Sequence, residues 1–169
     1  MAGILLIGFM GAGKSTVGAK LAKILARSFV DLDQAIETEI GMSISEYFAT
    51  AGEGAFREVE TAALAKALAG DDVVACGGGI VLKELNRDML KEHPTVIYLK
   101  ADPDHLYQRI LQDQVNKRPL ADDKTAAEVR AILQPRLPLY EEAAVIKVDT
   151  TGKTPTQIAT EILERLAEK

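Results

Sequence analysis

The segment GFMGAGKS, residues 8–15, matches the pattern G-x-x-x-x-G-K-[ST] of a phosphate-binding loop. An apolar run at residues 4–7 precedes it and a helical pattern follows it, which is the context that such a loop requires. Its glycines let backbone N–H groups converge on a phosphate, while Lys14 supplies a cation and Ser15 a hydroxyl for Mg²⁺ at a helix N-terminus. The segment therefore predicts that the chain binds a nucleoside triphosphate.

Composition limits the class of protein. The chain has 169 residues, of which 47% are hydrophobic and 27% charged, and this suits one globular domain with a sizeable core. A formal net charge of -5 argues against nucleic acid as the main partner. The single cysteine, Cys76, follows an apolar run and is predicted to be a small buried hydrophobic residue, whereas His93 and His105 are expected at the surface.

Location and assembly can also be predicted. The start Met1-Ala2-Gly3 carries no charged side chain, unlike a secretory signal peptide, and no apolar run approaches the ~18 residues needed to span a bilayer. We therefore expect a cytoplasmic protein without a membrane segment. The sequence has no coiled-coil heptads, so a monomer is expected.

Short apolar runs, rich in β-branched residues, alternate with helical patterns along the chain. This alternation predicts an α/β fold with a central parallel sheet flanked by helices, the strands being buried on both faces. The predicted strands are Ile4 to Ile7, Phe29 to Leu32, Val73 to Cys76, Val96 to Leu99 and Val145 to Val148.

Two helices have recognisable apolar faces. The first face is predicted to contain Val17, Leu21 and Ile24, and the last Ile158, Ile162 and Leu166. Thr154, Pro155 and Gln157 form the pattern of a capping box with proline at the first helical position, which predicts where the last helix begins.

Two segments interrupt the alternation. Residues 33–70 are too many for one crossover helix and should contain several helices, and residues 111–124 are polar, without an apolar period, and predict a mobile loop. Ligands of open α/β sheets bind at the carboxyl ends of the strands. We therefore expect a substrate-binding helical insertion at about residues 33–61 and a lid at about 111–124, within a single domain.

Asp31 and Asp33 flank Leu32 at the end of the second predicted strand. Alternation along a strand would place both carboxylates on one face, directed toward the phosphates. The alternative for either aspartate is a helix N-cap or a solvated turn. Their position beside a phosphate loop favours a functional role.

Three further positions suggest contact with a substrate. The glycines at residues 77–79 expose bare backbone for the approach of a ligand, although a tight turn into the next helix is nearly as good an explanation. Arg57 and Arg136 would each be ordinary surface residues when considered alone. A planar guanidinium is nevertheless suited to hold a carboxylate in a fixed orientation.

Taken in series, these segments resemble the shikimate kinase family over essentially the whole chain. The resemblance implies transfer of the γ-phosphoryl group of ATP to the 3-hydroxyl of shikimate, with Mg²⁺, on a phosphate-loop kinase fold whose five strands are ordered 2-3-1-4-5. The matching segments are GFMGAGKST from Gly8, the Asp31 and Asp33 pair, GMSISEYF from Gly41, GEGAFREVE from Gly52, CGGG from Cys76, KRPL from Lys117 and RLPLY from Arg136. One departure is Ala121 after Leu120, where the family often has a second leucine.

The resemblance also implies site residues. ATP would be bound by Gly11, Ala12, Gly13, Lys14, Ser15, Thr16, Arg109, Arg118 and Pro155. Shikimate would be bound by Asp33, Arg57, Gly77, Gly78, Gly79 and Arg136, with Glu60 orienting Arg57. Mg²⁺ would be held by Ser15 and, through water, by Asp31, while Lys14, Asp33 and Arg118 would be the catalytic groups.

Two other functions remain open at this point. Another small-metabolite kinase on the same fold, such as a gluconate kinase, would share the phosphate loop. A nucleotide-dependent regulatory module would share it too, and Asn116-Lys117 begins like the N-K-x-D motif of such switches, but Pro119 replaces its aspartate.

Overall fold

Five strands and seven α-helices make up the part of the chain that the computed structural model describes, residues 2–9, 12–106 and 126–168. The strands are β1 (Ile4–Ile7), β2 (Phe29–Asp31), β3 (Val73–Ala75), β4 (Val96–Lys100) and β5 (Ile146–Asp149). The helices are α1 (Lys14–Leu25), α2 (Leu32–Ile40), α3 (Ile44–Leu68), α4 (Glu84–Lys91), α5 (Ala126–Leu133), α6 (Leu137–Ala143) and α7 (Pro155–Ala167). A 3₁₀ helix, Gln134–Arg136, joins α5 to α6, and residues 103–106 are helical as well.

Some of the predicted features lie outside the described residues. These are Gly11, Arg109, Arg118 and the whole of the lid predicted at residues 111–124.

The five strands form one parallel sheet in the order β2-β3-β1-β4-β5, as the resemblance implies. Asp31 pairs with Ala75 of β3, and Ala75 pairs with Leu6 of β1. The carboxyl ends of these three adjacent strands therefore meet at one edge. This register brings the phosphate loop, the aspartate pair and the glycine segment together.

Burial differs between the centre and the margins of the sheet. The strands β1 and β3 are buried throughout and β4 nearly so, as predicted for strands covered on both faces. The prediction is wrong for the edge strands, since β2 is half-buried and β5 alternates buried Ile146 and Val148 with exposed Lys147 and Asp149. An edge strand lies at the margin of the helical layers, so part of it remains in contact with water.

The core face of α1 is displaced from the predicted one. Val17 and Leu21 are buried, but Ile24 is 56% exposed, so its assignment to the core is wrong. The helix instead packs through its smallest side chains, since a Cβ on Gly18 would lie only 2.5 Å from the ring of Phe29. Because α1 approaches the sheet closely at Gly18, its small residues form the contact with the sheet and Ile24 faces outward.

The C-terminal helix α7 agrees with its predicted boundary and face. Thr154 Oγ1 accepts from the Gln157 backbone N–H at 3.1 Å, and Gln157 Oε1 accepts from the Thr154 N–H at 2.8 Å. Ile158 and Ile162 are buried, and Leu166 packs against the core. The capping box is therefore confirmed.

The segment that was predicted to hold several helices contains α2 and α3. Helix α3 is interrupted at Gly52, whose φ of 89° is left-handed and favours glycine. The interruption divides α3 into two parts, and Arg57 lies in the second part. No helix among the described residues combines the length and the hydropathy that crossing a membrane requires.

Cys76 is buried, as predicted, and burial raises the pKa of its thiol to about 12. His93 is also buried, being 8% exposed, so its predicted surface position is wrong, and His105 is half-buried rather than exposed. His93 Nδ1 accepts from the Thr95 backbone N–H at 3.2 Å. Burial lowers the pKa of His93 because the charged imidazolium loses hydration.

The lowered pKa of His93 predicts a loss of stability in mild acid. Unfolded histidine titrates near pH ~6.5, so below this pH the unfolded chain binds the proton more readily than the folded chain. The free energy of unfolding should therefore fall as the pH decreases from ~6.5 toward the folded pKa. Urea unfolding across this window should show a shallower pH dependence in His93→Asn, which keeps an acceptor but does not titrate. Equal slopes in the wild type and in His93→Asn would contradict the prediction.

Candidate active site

The phosphate loop connects β1 directly to α1. A Cβ on Gly8 would lie 2.7 Å from the carbonyl oxygen of Leu99, so glycine is required where the loop passes β4. Gly13 is the N-cap of α1 with a left-handed φ of 86°, and no side chain caps this helix. The first N–H groups of α1 are therefore suited to bind an anion.

Lys14 folds back over the loop. Its Nζ donates to the carbonyl oxygens of Gly8 at 2.5 Å and Phe9 at 3.1 Å. The ammonium group is thereby held beside the N-terminus of α1. This is the position from which it can reach phosphate oxygens bound by the loop.

Ser15 and Asp31 are brought together although they are 16 residues apart. Ser15 Oγ donates to Asp31 Oδ2 at 2.9 Å. Asp31 Oδ1 accepts from the Gln34 backbone N–H at 3.2 Å, so the same carboxylate is also the N-cap of α2. The N-cap alternative and the functional one are both compatible with this geometry, because each uses a different carboxylate oxygen.

The prediction that Asp31 and Asp33 lie on one face of a strand is wrong. The strand β2 ends at Asp31 and α2 begins at Leu32, so Asp33 lies in the first turn of a helix and not on a strand face. The N-cap bond of Asp31 ends the strand one residue earlier than predicted. Asp33 nevertheless reaches the site, since its Oδ1 lies 2.6 Å from where a Cβ on Gly77 would be.

The glycine segment forms a turn that two functional side chains approach closely. The Ile80 N–H donates to Gly77 O at 3.2 Å, so the tight-turn explanation is correct. A Cβ on Gly79 would lie 2.6 Å from Arg57 Nη1, just as one on Gly77 would meet Asp33. The absence of side chains is therefore what allows Asp33 and Arg57 to occupy their positions.

Arg57 is held by acidic and aromatic side chains. Its Nη1 donates to Glu60 Oε1 at 2.9 Å, its Nε lies 3.4 Å from Glu53 Oε2, and its guanidinium lies 5.2 Å from the ring centroid of Phe56 and 5.8 Å from that of Phe48. Glu60 is 2% exposed, and burial raises its pKa against the opposing effect of Arg57. The geometry agrees with the orienting role implied for Glu60.

Arg136 is more buried than the other cations of the predicted site that the structure describes, Lys14 and Arg57. It is 7% exposed and its guanidinium lies 5.7 Å from the ring centroid of Phe9 in the phosphate loop. Its Nη1 is buried and has no hydrogen-bond partner among the described residues. A buried cationic donor without a partner destabilises the folded state unless an anion binds to it.

A cavity of about 260 Å³ lies beside the phosphate loop. Its lining includes Ala12, Gly13 and Thr16 together with Pro155 at the start of α7, so these predicted ATP-binding residues are brought together. Asp33, Arg57 and Arg136 are not part of this lining. These three predicted shikimate-binding residues therefore lie outside the cavity that Pro155 borders.

The sequence did not single out four aromatic residues of the site. Phe9 lies against Arg136, Phe48 and Phe56 lie against Arg57, and the Tyr140 hydroxyl contacts Gly78. All four stand within or next to the segments quoted above, but aromatic residues there have the same pattern as ordinary core residues. Their roles depend on tertiary contacts.

Comparisons with known proteins agree on one family. A family model for shikimate kinase matches residues 10–167. A shikimate kinase from Enterococcus faecalis is 45% identical over 168 residues, which is 99% of this chain and 100% of that protein. One from Streptococcus gordonii is 47% identical over 156 residues, 92% of this chain and 94% of that protein.

Solved structures give the same result. Shikimate kinase from Acinetobacter baumannii in complex with shikimate has a TM-score of 0.91 and 35% identity, covering 99% of this chain and 94% of that one. A gluconokinase from Sinorhizobium meliloti has a TM-score of 0.58 and 20% identity, covering 98% and 92%, and so shares the fold alone.

Proposed function

This chain belongs to the shikimate kinase family, and we propose the roles that its own residues have in that family's reaction. The reaction transfers the γ-phosphoryl group of ATP to the 3-hydroxyl of shikimate and gives shikimate 3-phosphate and ADP. The observation that carries the proposal is the buried Nη1 of Arg136, which has no partner among the described residues. Tyr140, four residues later, donates to the glycine turn that Arg57 also contacts.

Arg136 is the main group that binds the shikimate carboxylate. Arg57 already shares its charge with Glu60 and Glu53, whereas Arg136 keeps a buried donor for an incoming anion. A substrate carboxylate would satisfy that donor and neutralise the buried charge. Arg57 and the turn at residues 77–79 would then border the shikimate ring. The helical segment of about residues 33–61 contributes Asp33 and Arg57 to this pocket.

Asp33 orients the 3-hydroxyl toward the phosphate loop. Its carboxylate lies beside Gly77, at the turn that follows β3, while Lys14 lies in the loop that follows the adjacent β1. A carboxylate in this place can accept a hydrogen bond from the hydroxyl and can take its proton as transfer proceeds. Phosphoryl transfer depends mainly on positioning and charge stabilisation, and Lys14 supplies charge on the phosphate side.

The residues present fit Mg²⁺. Ser15 Oγ and Asp31 Oδ2, 2.9 Å apart, are hard oxygen ligands at the N-terminus of α1. The described residues include no cluster of three or more acidic, histidine or cysteine side chains able to hold a metal, which suits an ion bound largely through nucleotide phosphates and water. Ser15 would hold the ion and Asp31 would hold one of its waters. When bound, the ion neutralises phosphate charge.

We assign the nucleotide to the cavity beside Pro155. Ala12, Gly13 and Thr16 would contact phosphates, and Pro155 would border the adenine. Gly11, Arg109 and Arg118 are assigned to ATP, and Arg118 to the transferring phosphate, on the family resemblance alone. We also propose that the protein is a monomer and acts in the cytoplasm. Sedimentation equilibrium would test whether it is a monomer.

Coupled ADP release with ATP and Mg²⁺ tests the function. Shikimate, gluconate and no acceptor are compared at equal enzyme concentration. Release should depend on shikimate and be lost in Lys14→Ala. Release that depends on gluconate would support the rival kinase, and slow release indifferent to any acceptor would support a regulatory module.

Gly79→Ala should weaken shikimate binding while leaving the fold intact. The new Cβ would displace the flexible end of Arg57 from its present position 2.6 Å away, and losing charged hydrogen bonds of about 1.5–3 kcal/mol corresponds to a roughly 10- to 100-fold higher KM for shikimate. Steady-state kinetics with each substrate varied would measure it. Gly54→Ala is a matched control, because its Cβ would meet nothing within 4 Å. An unchanged KM in Gly79→Ala would contradict this prediction.

A further inference from the structure

We propose that Tyr140 is a positioning residue for shikimate, because its buried hydroxyl holds the Gly78 carbonyl while its helix places it beside Arg136, which sets the glycine turn and the carboxylate-binding arginine in one geometry. This inference rests on the proposed function of Arg136 and the turn. It assigns to Tyr140 no contact with the substrate itself.

The hydroxyl of Tyr140 is tied to a distant part of the chain. Its Oη donates to Gly78 O at 2.5 Å, across a sequence separation of 62 residues. The ring is fully buried and stacks on Tyr98, with ring centroids 5.1 Å apart and an interplanar angle of 28°. A side chain packed in this way has one available orientation, so the position of its hydroxyl is determined by the core.

Arg136 lies four residues earlier, at the junction of the 3₁₀ helix and α6. Residues four apart lie on the same side of a helix, so Arg136 and Tyr140 are neighbours at the start of α6. The Arg136 guanidinium acts to lower the pKa of Tyr140, but burial has the larger effect and the pKa is raised. The phenol therefore stays protonated and remains a hydrogen-bond donor at any physiological pH. It can therefore keep donating to Gly78 O.

The orientation of one peptide unit connects Tyr140 to Arg57. A trans peptide directs its C=O and N–H to opposite sides, so holding Gly78 O toward Tyr140 directs the Gly79 N–H away from it. Arg57 also reaches Gly79, since its Nη1 lies 3.5 Å from Gly79 O. Rotation of this peptide would change the space available to Arg57.

Other side chains also hold this turn, but from α4. Asn86 Nδ2 donates to Ile80 O at 3.0 Å and Arg87 Nη1 donates to Val81 O at 2.7 Å. Tyr140 differs from these two in lying on the same helix as Arg136, four residues after this proposed substrate-binding arginine. Its hydroxyl is thus the link between the turn and Arg136.

The test compares Tyr140→Phe with Tyr98→Phe. Each removes one phenol oxygen from a stacked, buried ring pair, but the described contacts of Tyr98 include neither Gly78 nor Arg136. We expect Tyr140→Phe to raise the KM for shikimate about 10-fold, with the KM for ATP within about 2-fold and kcat changed less than the KM. Tyr98→Phe should change each parameter less than about 2-fold. A Tyr140→Phe enzyme that melts at a lower temperature with an unchanged KM for shikimate would make the role merely structural and overturn the proposal.

A double-mutant cycle tests the route through Arg136. In an Arg136→Lys background the effect of Tyr140→Phe on the KM for shikimate should shrink, because the arginine that it positions is gone. Equal effects in both backgrounds would overturn the proposed link.

A measurement on the wild-type enzyme covers the case in which Tyr140→Phe does not fold. Without shikimate, the Ile80 and Leu82 amides, which close the turn onto Gly77 and Gly79, should be protected from hydrogen exchange. Rapid exchange that slows only with shikimate would show that the turn is not preset. A wild-type enzyme with no shikimate-dependent ADP release would instead refute the proposed function itself.

Discussion

Replacing Asp33 with asparagine is expected to lower kcat by about 10²- to 10⁴-fold, the range attributed to a positioned acid or base group. The amide keeps the size of the side chain beside Gly77 but cannot take the proton of the 3-hydroxyl. The fold should survive, because Asp31 and not Asp33 caps α2. ATP affinity should be retained, since Asp33 is not part of the cavity beside Pro155.

Kinetics with each substrate varied, together with direct ATP binding, would check the Asp33 prediction. Asp88→Asn, at an exposed position of α4, is a charge-matched control that should leave kcat unchanged. The pH profile of kcat distinguishes whether Asp33 takes the proton of the 3-hydroxyl or only orients this hydroxyl. If Asp33 takes the proton, the acid limb of the wild-type profile should disappear in Asp33→Asn, and if it only orients the hydroxyl the limb should persist. An unchanged kcat would remove Asp33 from the mechanism.

Arg136→Met should separate stability from substrate binding. Loss of one partner of a buried charge pair costs about 2–5 kcal/mol, so the KM for shikimate should rise by roughly 30-fold to several thousand-fold, with ATP binding unchanged. In the free protein, however, the same change removes a buried cation whose Nη1 has no partner among the described residues, while an apolar side chain can still pack against Phe9. The free energy of unfolding should therefore stay equal or increase.

The Arg136 prediction is tested by measuring stability and kinetics on Arg136→Met and on a control variant. Arg165→Met removes an arginine on α7 that is half-exposed and donates to Lys147 O at 3.3 Å, and it should alter neither the KM for shikimate nor that for ATP. Chemical unfolding and steady-state kinetics are measured on both variants. A large loss of stability in Arg136→Met would show that Arg136 stabilises the free protein. A loss of ATP affinity as large as the loss of shikimate affinity would show that Arg136 is not specific for the substrate anion, and either result would contradict the prediction.

Local rules predicted much of this protein. The phosphate loop stands between β1 and α1 as expected, and the capping box at Thr154 and Gln157 is present with both of its hydrogen bonds. Each depends on residues that are close in sequence, so a short pattern contains the whole physical cause. The central strands were recognised for the same reason, because burial on both faces leaves a continuous apolar run.

Other predictions failed where a distant contact competed with a local pattern. Ile24 has the helical spacing of a core residue, but Gly18 lets α1 approach Phe29 and rotates the buried face away from it. His93 has polar neighbours in sequence and is nevertheless buried in the fold. Asp33 has the spacing of a residue on a strand face, but the N-cap at Asp31 starts a helix that includes Asp33.

The sequence by itself therefore determined the kind of protein, its phosphate loop, the sheet at its centre and the family to which it belongs, because these depend on short-range patterns and on their order. Only the tertiary structure decided how the substrate site is assembled. The turn at residues 77–79 has room for Asp33 and Arg57, and the Tyr140 hydroxyl donates to Gly78 O across 62 residues. The physical reason is that close packing of distant segments sets these contacts, and no local pattern contains them.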